Sequence, residues 1–175
     1  LPIFTIGAST SALLYASMKL HDKEGYVTSN FFSSFKENFK QATEIWLIYL
    51  VIGILLGFDF VMGNQAKDTL GVCMQGAAMI LAIPYFLSLL YVFGVQSRFV
   101  NPVKDTIRYS FFMALRNMKC TIQMAILMIL LVWANTTVLL VNFLTLVYGF
   151  GLMGYFFAAY YKKAFGKYLN PEENS

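Results

Sequence analysis

The pattern of apolar and polar positions changes once between Asn30 and Gly57, where an amphipathic helix pattern passes without a break into a purely apolar one. In the first half, apolar side chains recur every three or four residues and leave the charged side chains on the opposite face. These apolar positions are Phe31, Phe35, Phe39, Ala42 and Trp46. From Ile45 to Phe58 no charged residue occurs for fourteen residues. The pattern predicts an interfacial helix over about residues 30–42 that leads into a membrane span over about 43–62.

A second copy of this pattern begins at Asn101-Pro102 and predicts another interfacial helix over about residues 102–119, followed by a further apolar stretch. A constant offset of 79 residues aligns identical residues of the two copies: Phe32 with Phe111, Asn38 with Asn117 and Lys40 with Lys119. The change from polar to apolar falls at the same place in both copies, so we favour a tandem repeat over coincidence. An even number of predicted spans separates the copies. The two halves are therefore expected to be parallel, with both amphipathic helices at the inner leaflet.

Apolar stretches along the rest of the chain predict three more spans. The five spans are placed at about residues 3–20, 43–62, 71–97, 120–135 and 138–161. Asn135-Thr136-Thr137 is the predicted turn between the last two, and Pro84 is expected to interrupt one backbone hydrogen bond in the third. The chain starts at Leu1-Pro2 within a hydrophobic stretch, so we expect one more helix upstream and six spans in the full chain.

Composition agrees with a membrane protein. Hydrophobic residues make up 58% of the chain and charged residues 13%, and the mean hydropathy is +0.62. A soluble domain carries about 45–50% apolar and about 25% charged residues. At 175 residues the predicted spans leave no length for a separate soluble domain. We therefore expect one all-α membrane domain, a polytopic transmembrane helical bundle.

The lysines and arginines are concentrated on one side of the predicted membrane. Of thirteen lysines and arginines, only Lys67 falls on the side opposite to the others. Such a bias predicts a multi-pass membrane protein with a cytoplasmic C-terminus. The net charge of +4 is explained by this topology, so we expect no nucleic-acid partner.

No arrangement of residues in the sequence indicates enzyme chemistry. His21 stands alone near a helix end, where a solvated interfacial histidine is expected. Cys73 and Cys120 are 47 residues apart in apolar surroundings, which indicates neither a disulfide framework nor a metal site. The spacing of Gly149, Gly151 and Gly154 matches a dinucleotide fingerprint only as a string, because no strand precedes it. We expect a protein that is not an enzyme, with no cofactor and no metal.

Two sets of polar residues are candidates for binding. One set lies at the predicted inner surface and is expected either to dock a partner or lipid or only to fix the topology: Lys36, Asn38, Lys40, Arg98, Arg116, Asn117 and Lys119. The other set lies inside the spans and is expected to line a solute pathway or, as we favour, to hydrogen-bond between helices: Gln75, Tyr85 and Asn142.

Three stretches of the chain resemble the YesL family of bacterial membrane proteins, which carry a domain of unknown function. The similar residues are the opening Pro2-Ile-x-Thr-Ile-Gly-Ala-Ser9, then Phe35-Lys36-x-Asn38-Phe39-Lys40, and Arg98-Phe99 followed by Asn101-Pro102. Genes of this family commonly lie beside carbohydrate ABC importers in Gram-positive bacteria. The resemblance implies an accessory role in the uptake of sugars or oligosaccharides and assigns no catalytic residue.

These observations predict an accessory subunit or assembly factor that binds the permease subunits of a carbohydrate ABC importer. An autonomous small-solute transporter is the first alternative, with a pathway between the two halves. A membrane sensor that binds lipid or a cytoplasmic partner is the second. Neither the sugar nor the oligomeric state follows from the sequence.

Overall fold

The computed structural model describes residues 2–23, 26–66, 68–137, 145 and 149–169. The described residues form helices and contain no strand, which confirms the all-α fold class. In chain order the helices are α1 (Pro2–His21), α2 (Val27–Gln65), α3 (Thr69–Arg98), α4 (Val103–Arg116), α5 (Met118–Thr137) and α6 (Phe150–Leu169). Lys67, Asn142 and much of the predicted fifth span lie outside the described residues.

Three helices of the described chain are long and apolar enough to cross a membrane: α2, α3 and α5. Their surfaces carry many exposed apolar side chains, more than a soluble monomeric protein leaves in contact with water. The protein is therefore a membrane protein. The number of spans and the tandem repeat stay predictions.

Helix α2 is a single helix of 39 residues, as the unbroken pattern predicts. At about 1.5 Å per residue it is about 58 Å long, whereas the hydrocarbon layer is about 30 Å thick. Even a tilt of about 40° leaves the helix longer than the layer is thick. Part of α2 therefore lies outside the hydrocarbon, and its charged first half is the part suited to that position.

The second copy of the pattern folds differently. Helix α4 ends at Arg116, and Asn117 leaves the helical conformation with φ −111° and ψ 46° before α5 begins. The Asn117 side chain donates to the Met113 carbonyl at 3.1 Å, and the Thr121 hydroxyl donates to the Asn117 carbonyl at 3.1 Å. Asn117 thus stabilises a joint between amphipathic and apolar helices. Its aligned counterpart, Asn38, lies inside the continuous α2.

Two helix boundaries differ from the sequence prediction. Helix α5 continues through Thr137, so the turn predicted at residues 135–137 is wrong. Asn135 donates to the Leu131 carbonyl at 2.9 Å and to the Thr145 hydroxyl at 3.1 Å, so its amide is satisfied without leaving the helix. At the start of α4 the cap position is Pro102, one residue later than expected, and the helix begins at Val103.

The buried core lies in one half of the bundle. Residues Tyr91 to Ser97 of α3 are all buried, which places the last turns of this helix at the centre. Helices α1, α2 and α4 pack around them, and Tyr161 of α6 contacts Tyr91. The Ser11 hydroxyl of α1 donates to the side-chain oxygen of Gln96. We call this half the basic end, because α1, α3 and α6 bring Asp22, Arg98 and Lys162 together there.

The other half of the α2–α3 pair is open. Between Val51 and Met62 of α2, Gly53 and Leu56 are half-buried and all other residues are exposed. Most of α3 from Leu70 to Ile83 is exposed as well. The two helices approach closely near their connection, where a Cβ on Gly63 would lie 2.8 Å from the Gly71 carbonyl oxygen. This pair therefore presents apolar surface that the described chain itself does not cover.

Candidate functional site

A charged cluster joins three helices at the basic end. The Asp22 carboxylate, just after α1, has one oxygen 2.6 Å from the Lys162 ammonium of α6 and the other 3.5 Å from the Arg98 guanidinium of α3. Side-chain exposure is 19% for Asp22 and 26% for Arg98. We call these three residues the Asp22 cluster. It fixes the ends of α1, α3 and α6 relative to one another.

His21 takes part in the same arrangement. Its ring stacks on Tyr155 of α6 with centroids 4.3 Å apart, and Nε2 lies 3.1 Å from the Tyr155 carbonyl oxygen. The Lys162 ammonium donates to the His21 carbonyl at 3.4 Å. His21 is half-buried at the end of α1, so the prediction of an interfacial histidine at a helix end is kept, and its ring also stacks on α6.

The pKa of Asp22 lies below its ordinary value. The largest cause is the hydrogen bond from Lys162, and the positive charges of Lys162, Arg98 and Lys19 add to it, while partial burial acts in the opposite direction. A carboxylate with a lowered pKa in the folded state contributes stability above its unfolded pKa of about 3.9 and loses that contribution as the pH falls through the folded value.

Replacement of Asp22 by Asn is therefore expected to lower the free energy of unfolding by about 1 kcal/mol at pH 7, because the partners are partly exposed. The difference from the wild type should shrink below about pH 4. Thermal unfolding in detergent between pH 7 and pH 3 measures both. Asp59→Asn is the matched control, since Asp59 is exposed and forms no ion pair within the described chain. A difference that stays constant down to pH 3 would contradict the role of the Asp22 charge.

The residues predicted to dock a partner or lipid do not converge on one point. Lys36 and Lys40 are exposed on the first half of α2, and Asn38 between them donates to the Ser34 hydroxyl at 3.3 Å. Arg98 belongs to the Asp22 cluster, and Asn117 to the joint between α4 and α5. Arg116 and Lys119 are exposed on either side of that joint. The structure thus divides the set between α2 and the region around α4.

A groove runs between the end of α3 and α4, with a volume of about 900 Å³. Two arginines and several aromatic or aliphatic side chains line it: Val95, Phe99, Asn101, Arg108, Tyr109, Phe112, Met113, Leu115 and Arg116. We call it the α3–α4 groove. Arg116 was predicted as a docking residue, whereas Arg108 was not singled out, because only the tertiary packing of α4 on α3 brings both into one groove.

Helix α4 packs on the bundle through small and polar residues. Thr106, Ser110 and Ala114 are fully buried, and the two hydroxyls donate to the carbonyls of Pro102 and Thr106 at 3.1 and 2.6 Å. Each hydroxyl is thus hydrogen-bonded to a carbonyl one turn earlier, so burial of this polar face costs little free energy. This leaves Tyr109, Phe112 and Leu115 exposed, which suits a helix at a membrane interface.

The residues predicted to line a solute pathway lie apart. Tyr85 donates its hydroxyl to the Tyr49 carbonyl at 3.0 Å, and the Tyr49 hydroxyl is hydrogen-bonded to Ser88. Gln75 lies against Gly63, ten residues before Tyr85 and about 15 Å from it along α3. The third member, Asn142, lies outside the described residues. Tyr85 therefore joins α2 to α3 through hydrogen bonds between helices.

Within the described part of the chain, no group of three His, Cys, Asp or Glu residues could hold a metal ion. Cys120 is buried and Cys73 is exposed. The described residues at the basic end fix helix ends through ion pairs, and none of them places a nucleophile beside a base.

Comparison with known proteins gives a match that covers only the beginning of the chain. No curated protein and no solved structure matches the chain significantly. A family model described as "Protein of unknown function, DUF624" matches residues 1–60. This match contains α1, the Asp22 carboxylate and α2 as far as Phe60. Over that part, the chain is similar to a family whose function is not described.

Proposed function

We propose that the chain is an accessory subunit or assembly factor of a carbohydrate ABC importer in a bacterial cell membrane, with the basic end in the cytoplasm. Two sequence features support this proposal. The chain resembles the YesL family, and the matched DUF624 domain is one that this family carries. The distribution of Lys and Arg is typical of a basic cytoplasmic side.

The observation that carries the proposal is a groove between the open halves of α2 and α3 that the described residues leave uncovered. Its volume is about 310 Å³, and four of its residues are small: Gly53, Gly57, Ala78 and Ala82. We call it the hairpin groove. Small residues let helix backbones approach each other closely, which is how transmembrane helices commonly associate. A span of a permease subunit is the occupant that we propose.

Gly57 lies in this groove at a position where the described chain leaves room for a larger side chain. A Cβ on Gly57 would meet no atom of the described chain within 4 Å, whereas a Cβ on Gly53 would lie 2.6 Å from the Tyr85 hydroxyl. The sequence pairs the two glycines as one GxxxG motif. The structure separates their roles, because Gly53 packs inside the chain and Gly57 faces outwards.

Helix α2 also connects the hairpin groove to the charged positions Lys36 and Lys40. Both lysines lie on the same unbroken helix as Gly57, and both are exposed. A partner with a transmembrane and a cytoplasmic part would therefore meet one continuous element of this chain. This geometry favours an accessory subunit over a protein that acts alone.

The first experiment is purification of the tagged protein from its own membranes in a mild detergent, followed by mass spectrometry. We expect permease and ATPase subunits in stoichiometric amounts. Recovery of the protein alone would contradict the proposal. Solute uptake by the purified protein in liposomes would then test the autonomous transporter.

Gly57→Leu should reduce the recovery of permease about tenfold, because the new side chain fills space that a partner helix would need. The stability of the purified chain should be unchanged, since the side chain meets none of its described atoms. Gly151→Leu on α6 is the matched control, because its Cβ also meets nothing within 4 Å and lies outside the groove. Equal recovery with both variants would exclude the hairpin groove as the contact.

A further inference from the structure

The α3–α4 groove has the composition of a site for an anionic lipid. Among the described residues, its lining contains two guanidinium groups and no acidic side chain, and most of the remaining side chains are apolar or aromatic. A volume of about 900 Å³ is far larger than a phosphate ion needs. The groove therefore offers positive charge beside a long apolar surface.

Arg108 differs from Arg98 in how its charge is placed. Arg98 lies 3.5 Å from the Asp22 carboxylate. The Arg108 guanidinium carbon lies 5.8 Å from the centre of the Phe112 ring, and no carboxylate of the described residues lies within ion-pair distance of it. The positive charge of Arg108 is thus held over an aromatic ring at the groove and not neutralised by a neighbouring acid.

The position of the groove indicates which anion it would take. Tyr109, Phe112 and Leu115 belong to the lining and are also exposed on the outer side of α4, at 47%, 53% and 43%. An amphipathic helix with such a face lies at headgroup depth, with its apolar side towards acyl chains. A soluble phosphate would leave the apolar lining in contact with water, whereas a phospholipid would cover it.

We propose that the α3–α4 groove binds one anionic phospholipid, with its phosphate on Arg108 and Arg116 and an acyl chain along Phe99, Phe112 and Met113. The planar fork of a guanidinium matches two phosphate oxygens at once, which a lysine does not reproduce. The site is independent of the proposed importer, since it involves neither the hairpin groove nor a partner protein.

Native mass spectrometry of the full chain in mixed phosphatidylglycerol and phosphatidylcholine tests this proposal. The wild type is expected to retain one phosphatidylglycerol in preference to phosphatidylcholine. Arg108→Gln combined with Arg116→Gln should weaken that retention by about 25-fold, because each arginine near an anionic lipid contributes about fivefold to the affinity. Arg108→Lys combined with Arg116→Lys should keep only part of it, because charge remains but the fork is lost.

Lys23→Gln combined with Lys163→Gln is the matched control. Both lysines are exposed, neither lines the groove, and the pair removes the same charge. Loss of retention equal to that of the arginine pair would overturn the proposal in favour of general surface charge. Displacement of the lipid by an equal concentration of inorganic phosphate would overturn it as well.

A second measurement needs no variant. Phosphatidylglycerol with a photoreactive group in its acyl chain should label the wild type on peptides that contain Phe99, Phe112 or Met113. Labelling confined to other helices would overturn the assignment of the groove, whether or not the arginine variants fold.

Discussion

Tyr161→Ala is expected to lower the free energy of unfolding by about 3–5 kcal/mol, the range found for removal of a buried aromatic ring. The Tyr161 side chain is 1% exposed and lies at the centre of the contact between α3 and α6. Its ring stacks on Phe165 with centroids 5.4 Å apart and meets Tyr91 edge-on at 5.6 Å. Its hydroxyl donates to the Leu90 carbonyl. Alanine would remove all of these contacts and leave a cavity.

Titration with SDS in mixed micelles measures this loss, and Phe156→Ala is the control. Phe156 lies on the same helix but is 47% exposed, so its removal should cost much less. Equal losses for the two variants would mean that α6 does not pack on α3 through Tyr161.

Gly94 offers a test of the same contact from the other helix. A Cβ on Gly94 would lie 2.8 Å from two ring atoms of Tyr161. Gly94→Ala alone should therefore cost about 1–3 kcal/mol. In a Tyr161→Leu background those ring atoms are absent, so the same change should cost clearly less. A double-mutant cycle without such coupling would contradict direct contact between the two residues.

Gly7→Ala is expected to have the second large effect, a loss of about 1–3 kcal/mol. A Cβ on Gly7 would lie 2.5 Å from the Ala42 carbonyl oxygen and 2.6 Å from the Trp46 Cβ. Neither atom is the far end of a flexible side chain, so α1 would have to move away from α2. The SDS titration again measures the change.

Gly76→Ala is the control for Gly7→Ala. Gly76 also lies inside a helix, and a Cβ there would meet nothing within 4 Å. Alanine should therefore be neutral or stabilise α3 by up to about 1 kcal/mol through its better helix propensity. A similar loss for both variants would indicate a general intolerance of alanine and would contradict close packing of α1 on α2.

Local pattern was enough to predict most helices of the described chain, but not the end of α4 or the length of α5. The charge-free run after Ile45 predicted the passage of α2 from amphipathic to apolar, and the structure keeps it as one helix. The same pattern at α4 and α5 is interrupted at Asn117, because its amide bonds the Met113 carbonyl and ends the turn. A pattern of polar and apolar positions does not record which of two asparagines will end a helix.

The candidate sites were predictable only in part, because they depend on contacts between distant segments. Asp22 and Lys162 are 140 residues apart, and nothing in the sequence pairs them. Arg108 becomes part of a groove only because α4 packs beside Phe99 at the end of α3. The lysines on α2 follow from charge bias alone, and that bias does not distinguish docking from topology.

The unbroken course of α2 has a mechanical consequence. From Tyr49, which is fixed in the core, the helix extends 22 residues back to Val27, a lever arm of about 33 Å. No glycine or proline interrupts this arm. Because α1 packs on Ala42 and Trp46 of this arm, a tilt of about 10° at Tyr49 would carry α1 with it and would move the tip by about 6 Å, about the height of one helical turn. The charged arm and the membrane half of α2 are therefore mechanically continuous, whereas the path from α4 to α5 is interrupted at Asn117.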